Sequence, residues 1–171
     1  MSYDLYVITD EGLSGGIPHA EIARLAVSGG ADVIQLRDKT LSCRDLVRTG
    51  RAIAAITRPA GRLFIVNDRL DAAIACGADG VHLGQGDLPV RTARQLTPPG
   101  FIIGVSVGSV PEARAAEADG ADYVALSPTF DTGSKADAGP GHGLLRLRQI
   151  RDVVRVPVIA IGGITAGNVR E

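Results

Sequence analysis

The chain has 171 residues, a length that favours a single domain over 1–171. Apolar residues make up 45 % and the formal charge is −1, so no bulk basicity recruits nucleic acid or a membrane surface. Aromatics are 4 % with no tryptophan, too few for a base-stacking platform.

In chain order, the start MSYDLYVIT lacks a basic segment followed by an apolar one, so no export signal is expected. LYVIT (5–9) reads as the first strand. IPHAEIARLAVSGG (17–30) reads as a helix, with Ile22, Leu25 and Ala26 on one stripe and Gly29-Gly30 as the stop. DVIQLR (32–37) is the second strand. If it continued to Lys39, then Gln35, Arg37 and Lys39 would share one face and Ile34 and Leu36 the other. LSCRDLVRTGRAIAAIT (41–57) is helical, with Leu46, Val47, Ile53 and Ile56 near one stripe despite Gly50. LFIVN (63–67), GVHLG (80–84) and FIIGV (101–105) are strand-like runs. VPEARAAEADG (110–120) follows Ser109, with Glu112 three residues on, the pattern of a capping box. YVALS (123–127) and VPVIAI (156–161) are the last two strands. Between them PTFDTGSKADAGPGHG (128–143) is long and glycine-rich, and is expected to act as a lid.

An internal echo orders these elements. Gly-Ala-Asp stands at 30–32, 77–79 and 120–122, spaced by 47 and 43 residues. Each interval holds two strands, so one strand–helix unit takes about 22–23 residues. A glycine ending a helix, followed by a tightly packed alanine, explains the triplets as architecture.

Strands alternating with helices mean a parallel sheet. The expected fold is a (β/α)8 TIM barrel, with an open doubly wound sheet as the alternative. Polar residues decide between them. They gather after many strands, as a barrel requires, and not at a single switch point. Gln35, Arg37 and Lys39 follow the second strand, Asn67 and Asp68 the third, Gln85 and Asp87 the fourth, and Ser106 the fifth. Thr132, Ser134 and Lys135 follow the sixth, and Gly162 and Gly163 the seventh.

Asp68 and Asp87 end neighbouring strands, and two carboxylates suit Mg²⁺ shared with a substrate's phosphates. They equally suit helix caps. Arg37, Lys39 and Lys135 suit a polyphosphate, or a solvated rim. The glycines of IGGIT (161–165) suit a monophosphate at a helix start. Together these point to a reaction in which pyrophosphate leaves. His82 sits mid-strand as a structural histidine, and His19 and His142 read as loop or helix-start residues. Cys43 and Cys76 have no metal-like spacing and read as small packed thiols in a reducing, cytoplasmic setting.

The motifs QLRDK (35–39), NDR (67–69), VHLGQGDLP (81–89), GVS (104–106), TFDTGSK (129–135) and IGGI (161–164) resemble, in that order, the thiamine phosphate synthase family. The resemblance covers essentially the whole chain. It implies a (β/α)8 barrel that joins a hydroxymethylpyrimidine diphosphate to a thiazole phosphate, giving thiamine phosphate and pyrophosphate. It implies that the QLRDK stretch, Gln35, Leu36, Arg37, Asp38 and Lys39, binds the pyrimidine diphosphate together with Asn67. Asp68 and Asp87 would hold Mg²⁺. Ser106 and Lys135 would contact the diphosphate or pyrimidine, and Thr132, Gly133, Ser134 and Gly163 the thiazole phosphate. Arg37, Ser106 and Lys135 are the expected catalytic groups. Pyrophosphate would depart first, leaving a pyrimidine methylene cation for the thiazole nitrogen to attack.

Three departures from the family pattern stand out. Ser127-Pro128 replaces Gly-Pro, Asp131 replaces a proline and brings an unexpected carboxylate near a phosphate site, and Ser134 replaces a threonine. A chain ending at Glu171 would stop in the seventh helix and lack the eighth strand and helix, as a cut version of a longer enzyme would. The alternatives are a thiazole tautomerase paralogue, which the resemblance gives a histidine where Pro128 stands, and a non-catalytic phosphate-binding remnant. The expected partners are the two small-molecule substrates, and a homo-oligomer stays open.

Overall fold

The computed structural model describes residues 3–134 and 139–171. Among them seven strands and six helices alternate: β1 (Tyr6–Thr9), α1 (His19–Ser28), β2 (Val33–Leu36), α2 (Cys43–Thr57), β3 (Leu63–Asn67), α3 (Leu70–Cys76), β4 (Gly80–Leu83), α4 (Val90–Leu96), β5 (Ile102–Val107), α5 (Val110–Ala118), β6 (Tyr123–Leu126), α6 (Gly143–Arg151) and β7 (Val158–Ala160). Packing divides the chain into two units. One runs to His82 and takes in Thr97–Ile102; the other holds Leu83–Leu96 and the chain from Ile103.

In the first unit β1 to β4 pair in chain order, all parallel, with Ile8 opposite Gln35, Gln35 opposite Ile65, and Asn67 opposite His82. In the second, β5 to β7 do the same, with Ser106 opposite Ala125 and Leu126 opposite Ala160. The order reverses in neither unit, so there is no switch point of the doubly wound kind. Seven parallel strands with a helix after each of the first six make an incomplete (β/α) barrel. Among the described residues no helix is long and apolar enough to cross a membrane.

The Gly-Ala-Asp echo is the joint of this framework. Gly30, Gly77 and Gly120 turn the chain at φ of 91°, 74° and 97°. The N–H groups of Ala31, Ala78 and Ala121 then donate back to helix carbonyls five residues earlier, at 3.0, 3.0 and 2.9 Å. Each aspartate grips the start of the preceding strand at two points. The N–H groups of Asp32, Asp79 and Asp122 donate to the carbonyls of Leu5, Phe64 and Ile103 at 2.9, 2.8 and 2.8 Å. Their carboxylates accept the N–H groups of the same three residues at 3.0, 2.8 and 2.7 Å. Such charge-assisted bonds are the stronger class. The carbonyls of Asp32 and Asp79 go on to accept Leu63 N–H and Ile102 N–H, so each joint also starts the next strand.

The structure corrects several boundaries and stripes. β2 stops at Leu36, so Arg37 and Lys39 lie on the following loop and not on a strand face. β5 extends to Val107 and holds Ser106 inside the strand. In α1 the buried residues are His19 and Ala23, while Leu25 is exposed. The buried face of α2 is Leu46, Gly50, Ile53, Ala54 and Thr57. Gly50 belongs there because a Cβ would lie 2.7 Å from Cys76 Sγ, so α2 and α3 meet at that contact. Cys76 is packed as expected, but Cys43 is exposed, where its Sγ donates to Asp71 at 3.5 Å. Where a seventh helix was expected, Thr165–Glu171 forms turns, stitched by Val169 N–H to Thr165 O at 3.0 Å. Ser109 caps α5 as foreseen, accepting Glu112 N–H at 3.3 Å, although Glu112 reaches back to Gly108 N–H and not to Ser109.

Asp79→Ala strands the Phe64 N–H at a strand start. It is expected to lower stability in urea denaturation by about 1–3 kcal/mol. Asp152→Ala, at an exposed helix end, should change it by less than about 0.5 kcal/mol.

Candidate active site

In the first unit the residues of interest lie on β2, at the end of β3 and on the loops that follow. Gln35 is 1 % exposed, and its Nε2 donates to the Tyr6 hydroxyl on β1 at 2.8 Å. Leu36 beside it is fully buried in the core. Arg37 is half-buried and pairs with Asp10 on the β1–α1 loop at 3.3 Å. Lys39 is exposed.

Asp38 organises the loop that carries these cations. Its Oδ1 accepts Thr40 N–H at 2.7 Å, the Thr40 hydroxyl at 2.8 Å and Leu41 N–H at 2.8 Å. Its Oδ2 faces His19 Nε2 at 3.1 Å. Desolvation opposes the charge of Asp38, yet the bonds from Thr40, Leu41 and His19 prevail and hold the carboxyl well below the usual carboxylate range.

β3 ends on Asn67. Next, Asp68 adopts φ of 61°, the one non-glycine residue at positive φ among the described residues. Arg69 N–H donates across it to Asn67 O at 2.7 Å, the three-residue pattern of a γ-turn. Asp68 N–H is anchored on His82 O at 2.8 Å. A strained residue of this kind persists only where its surroundings over-determine it, and such residues cluster at functional sites. Arg69 of the NDR motif is occupied elsewhere: its guanidinium grips Asp71 at 2.9 and 2.6 Å and holds that carboxyl down to about 2.

In the second unit the loop after β4 carries Asp87, whose Oδ2 accepts Gly84 N–H at 2.6 Å. Its other oxygen makes no hydrogen bond among the described residues. Gln85 donates to the Ser106 carbonyl at 2.8 Å, tying this loop to β5. After β6, Pro128 and Thr129 are buried. The 128–143 connection is stitched at its base by His142 N–H to Pro128 O at 3.0 Å and Gly143 N–H to Thr129 O at 2.9 Å. Asp131, the unexpected carboxylate, accepts Gly141 N–H at 2.7 Å and so closes the loop. Thr132 Oγ1 accepts Ser134 N–H at 3.2 Å, with Gly133 exposed between them. Gly163 has φ of 66°, and a Cβ there would lie 2.5 Å from Asp131 O, so this turn and the 128–131 segment approach as only glycine permits. Lys135, and with it the centre of the expected lid, lies outside the described residues.

Sequence reasoning missed Tyr6, Asp10 and His19. Each sits on or after β1 and touches a predicted site residue. The one available signal was a histidine opening a helix in an apolar setting. Among the described residues no three His, Cys, Asp or Glu side chains gather to hold a metal alone. The donor chemistry of an aspartate such as Asp68 or Asp87, each taken by itself, suits a hard cation of the Mg²⁺ type, which takes one or two carboxylates and completes its shell with water and phosphate.

A parallel (β/α) barrel with cations, carboxylates and glycine turns on the loops after its strands is the layout of an enzyme of phosphorylated substrates. The thiamine monophosphate synthase family pattern matches residues 5–171. The chain is 66 % identical over its whole length to the thiamine-phosphate synthases of Methanoculleus marisnigri and Methanoregula boonei, spanning 81 % and 79 % of those proteins. The solved thiamine phosphate pyrophosphorylase from Pyrococcus furiosus superposes with a TM-score of 0.90 at 43 % identity, over 98 % of this chain and 79 % of that one. The chain belongs to the thiamine monophosphate synthase family, and is a transferase of thiamine biosynthesis.

Two outcomes follow from this geometry. Asp68→Gly should keep stability within about 1 kcal/mol, whereas Asp68→Val should lose about 2 kcal/mol, because a β-branched residue resists positive φ. Asp38 titrates lower folded than unfolded, so its contribution is complete above the unfolded carboxyl pKa and fades as pH falls below it. The stability gap between the natural chain and Asp38→Asn should therefore be largest near neutrality and shrink below about pH 4 in urea denaturation.

Proposed function

We propose that the chain condenses 4-amino-2-methyl-5-(diphosphooxymethyl)pyrimidine with a thiazole phosphate, giving thiamine phosphate and pyrophosphate in a Mg²⁺-dependent reaction. The observation that carries this reading is the strained Asp68 γ-turn directly after Asn67, in a chain that retains the Asp87 carboxylate and the QLRDK loop. Arg37 and Lys39 bind the diphosphate, with Gln35, Leu36, Asp38 and Asn67 shaping the pyrimidine side. Asp68 and Asp87 would hold Mg²⁺, which would neutralise charge on the diphosphate. Lys135 and Ser106 assist the leaving group, and Thr132, Gly133, Ser134 and Gly163 take the thiazole phosphate.

The chemistry is dissociative. The bond from the methylene carbon to the diphosphate oxygen breaks, and its electron pair leaves with pyrophosphate. The amino-pyrimidine ring stabilises the resulting cation. The thiazole nitrogen then donates its lone pair to the methylene carbon. No side chain acts as a nucleophile, so the protein's work is to stabilise charge on the leaving group and align two substrates. The chain is a single domain over 1–171 in this reading, in the cytoplasm, and the exposed thiol of Cys43 fits a reducing compartment.

The thiazole tautomerase alternative is disfavoured because Pro128 stands where that paralogue's histidine is expected and Asp87 is present. The remnant alternative is disfavoured by the strain kept at Asp68, which a chain without a reaction has no reason to hold.

Pyrophosphate release should need both substrates and Mg²⁺, and should stop on chelation. Asp87→Ala should slow it at least about 100-fold, the scale of losing a transition-state electrostatic partner. Release from the pyrimidine diphosphate alone, or release unaffected by chelator, would contradict the reading.

A further inference from the structure

His19 is a buried polar side chain that the reaction above does not use. It is 1 % exposed and opens α1. Both ring nitrogens are engaged: Nδ1 with Thr9 Oγ1 at 2.7 Å and Nε2 with Asp38 Oδ2 at 3.1 Å. Its backbone N–H donates to Glu11 Oε1 at 3.0 Å, and the same carboxylate oxygen stands 3.9 Å from Nε2. The ionised Asp38 only accepts, which assigns a hydrogen to Nε2, while Nδ1 and the Thr9 hydroxyl share the other bond.

These bonds join the C-terminal end of β1 to the loop after β2. Asp38 lies between Arg37 and Lys39, and its other oxygen gathers Thr40 and Leu41 around it. Asp10, next to Thr9, pairs with Arg37. The opposite ends of β1 and β2 are already fastened by Asp32, so the framework does not need a histidine at this end. A buried imidazole costs desolvation wherever it is placed, and Thr9 and Asp38 repay that only by fixing the loop.

We propose that His19 is a positioning residue for the diphosphate: through Asp38 it sets the loop that presents Arg37 and Lys39. This rests on the reading of Arg37 and Lys39 as diphosphate-binding groups. The consequence is selective. Loss of His19 should weaken the pyrimidine diphosphate and spare the thiazole phosphate.

The test is calorimetric binding of each substrate to the full chain with Mg²⁺, which does not depend on turnover. His19→Ala should raise Kd for the pyrimidine diphosphate about tenfold, the scale of a charge-assisted hydrogen bond lost, while the thiazole phosphate stays within about twofold. His19→Gln keeps an N–H for Asp38 and should recover Kd to within about threefold of the natural chain. Thr9→Val removes the hydroxyl without changing shape and serves if His19→Ala fails to fold. It should shift the pyrimidine diphosphate in the same direction, by about threefold. Equal weakening of both substrates, or no rescue by glutamine, would overturn the proposal and leave His19 a structural residue. Arg37→Ala and Lys39→Ala run alongside: if neither weakens the pyrimidine diphosphate, the underlying reading of the loop fails, a result separate from failure at His19.

Discussion

The fold depends on one repeated interaction, an aspartate that grips the start of the strand before it. Asp32, Asp79 and Asp122 each offer an N–H and a carboxylate to a single residue, Leu5, Phe64 or Ile103. A parallel strand has no hairpin to set its register, so register must come from elsewhere. These joints supply it at the strand starts, where the preceding helix has just been ended by a left-handed glycine. Arg62 and Arg94 lean on two of the three carboxylates and add charge to the same points.

With register fixed at the strand starts, the other ends are free to carry costly conformations. Asp68 at positive φ, Gln35 buried beneath Tyr6, and the Thr9–His19–Asp38 array all lie on or after the strands of the first unit. Each would be a poor choice for stability alone. A hydrophobic residue at position 35 or 19 would pack without an obligatory partner, and glycine at 68 would carry no strain. The separation of stability from chemistry between the two ends of the strands is the general economy of barrel enzymes.

Much of this was legible in the sequence. Seven apolar runs, the capping Ser109 and the spacing of Gly-Ala-Asp gave the alternation, because strand and helix periodicities are local properties. What was not legible was long-range. Nothing in DVIQLRDK says that the strand stops at Leu36 or that Asp38 turns back to bind its own loop, since the partner, His19, is on another helix. Gly50 read as a flaw in a helix and is a contact point, because Cys76 meets it from α3. Asp131 read as a hazard to phosphate binding and is a loop closure, through Gly141 ten residues on. The motifs QLRDK and HLGQGD pointed to the family without any of these contacts, and the family match over residues 5–171 bears that out.

The central claim is the proposed reaction, in which Asp68 and Asp87 would serve as Mg²⁺ ligands and Arg37 and Lys39 would hold the diphosphate. A crystal structure of the chain grown with Mg²⁺ and pyrophosphate tests it most directly. The account predicts one metal bound by both carboxylates and by phosphate oxygens, with Arg37 and Lys39 on the same diphosphate. Pyrophosphate bound without either carboxylate on its metal, or seated away from the QLRDK loop, would contradict it.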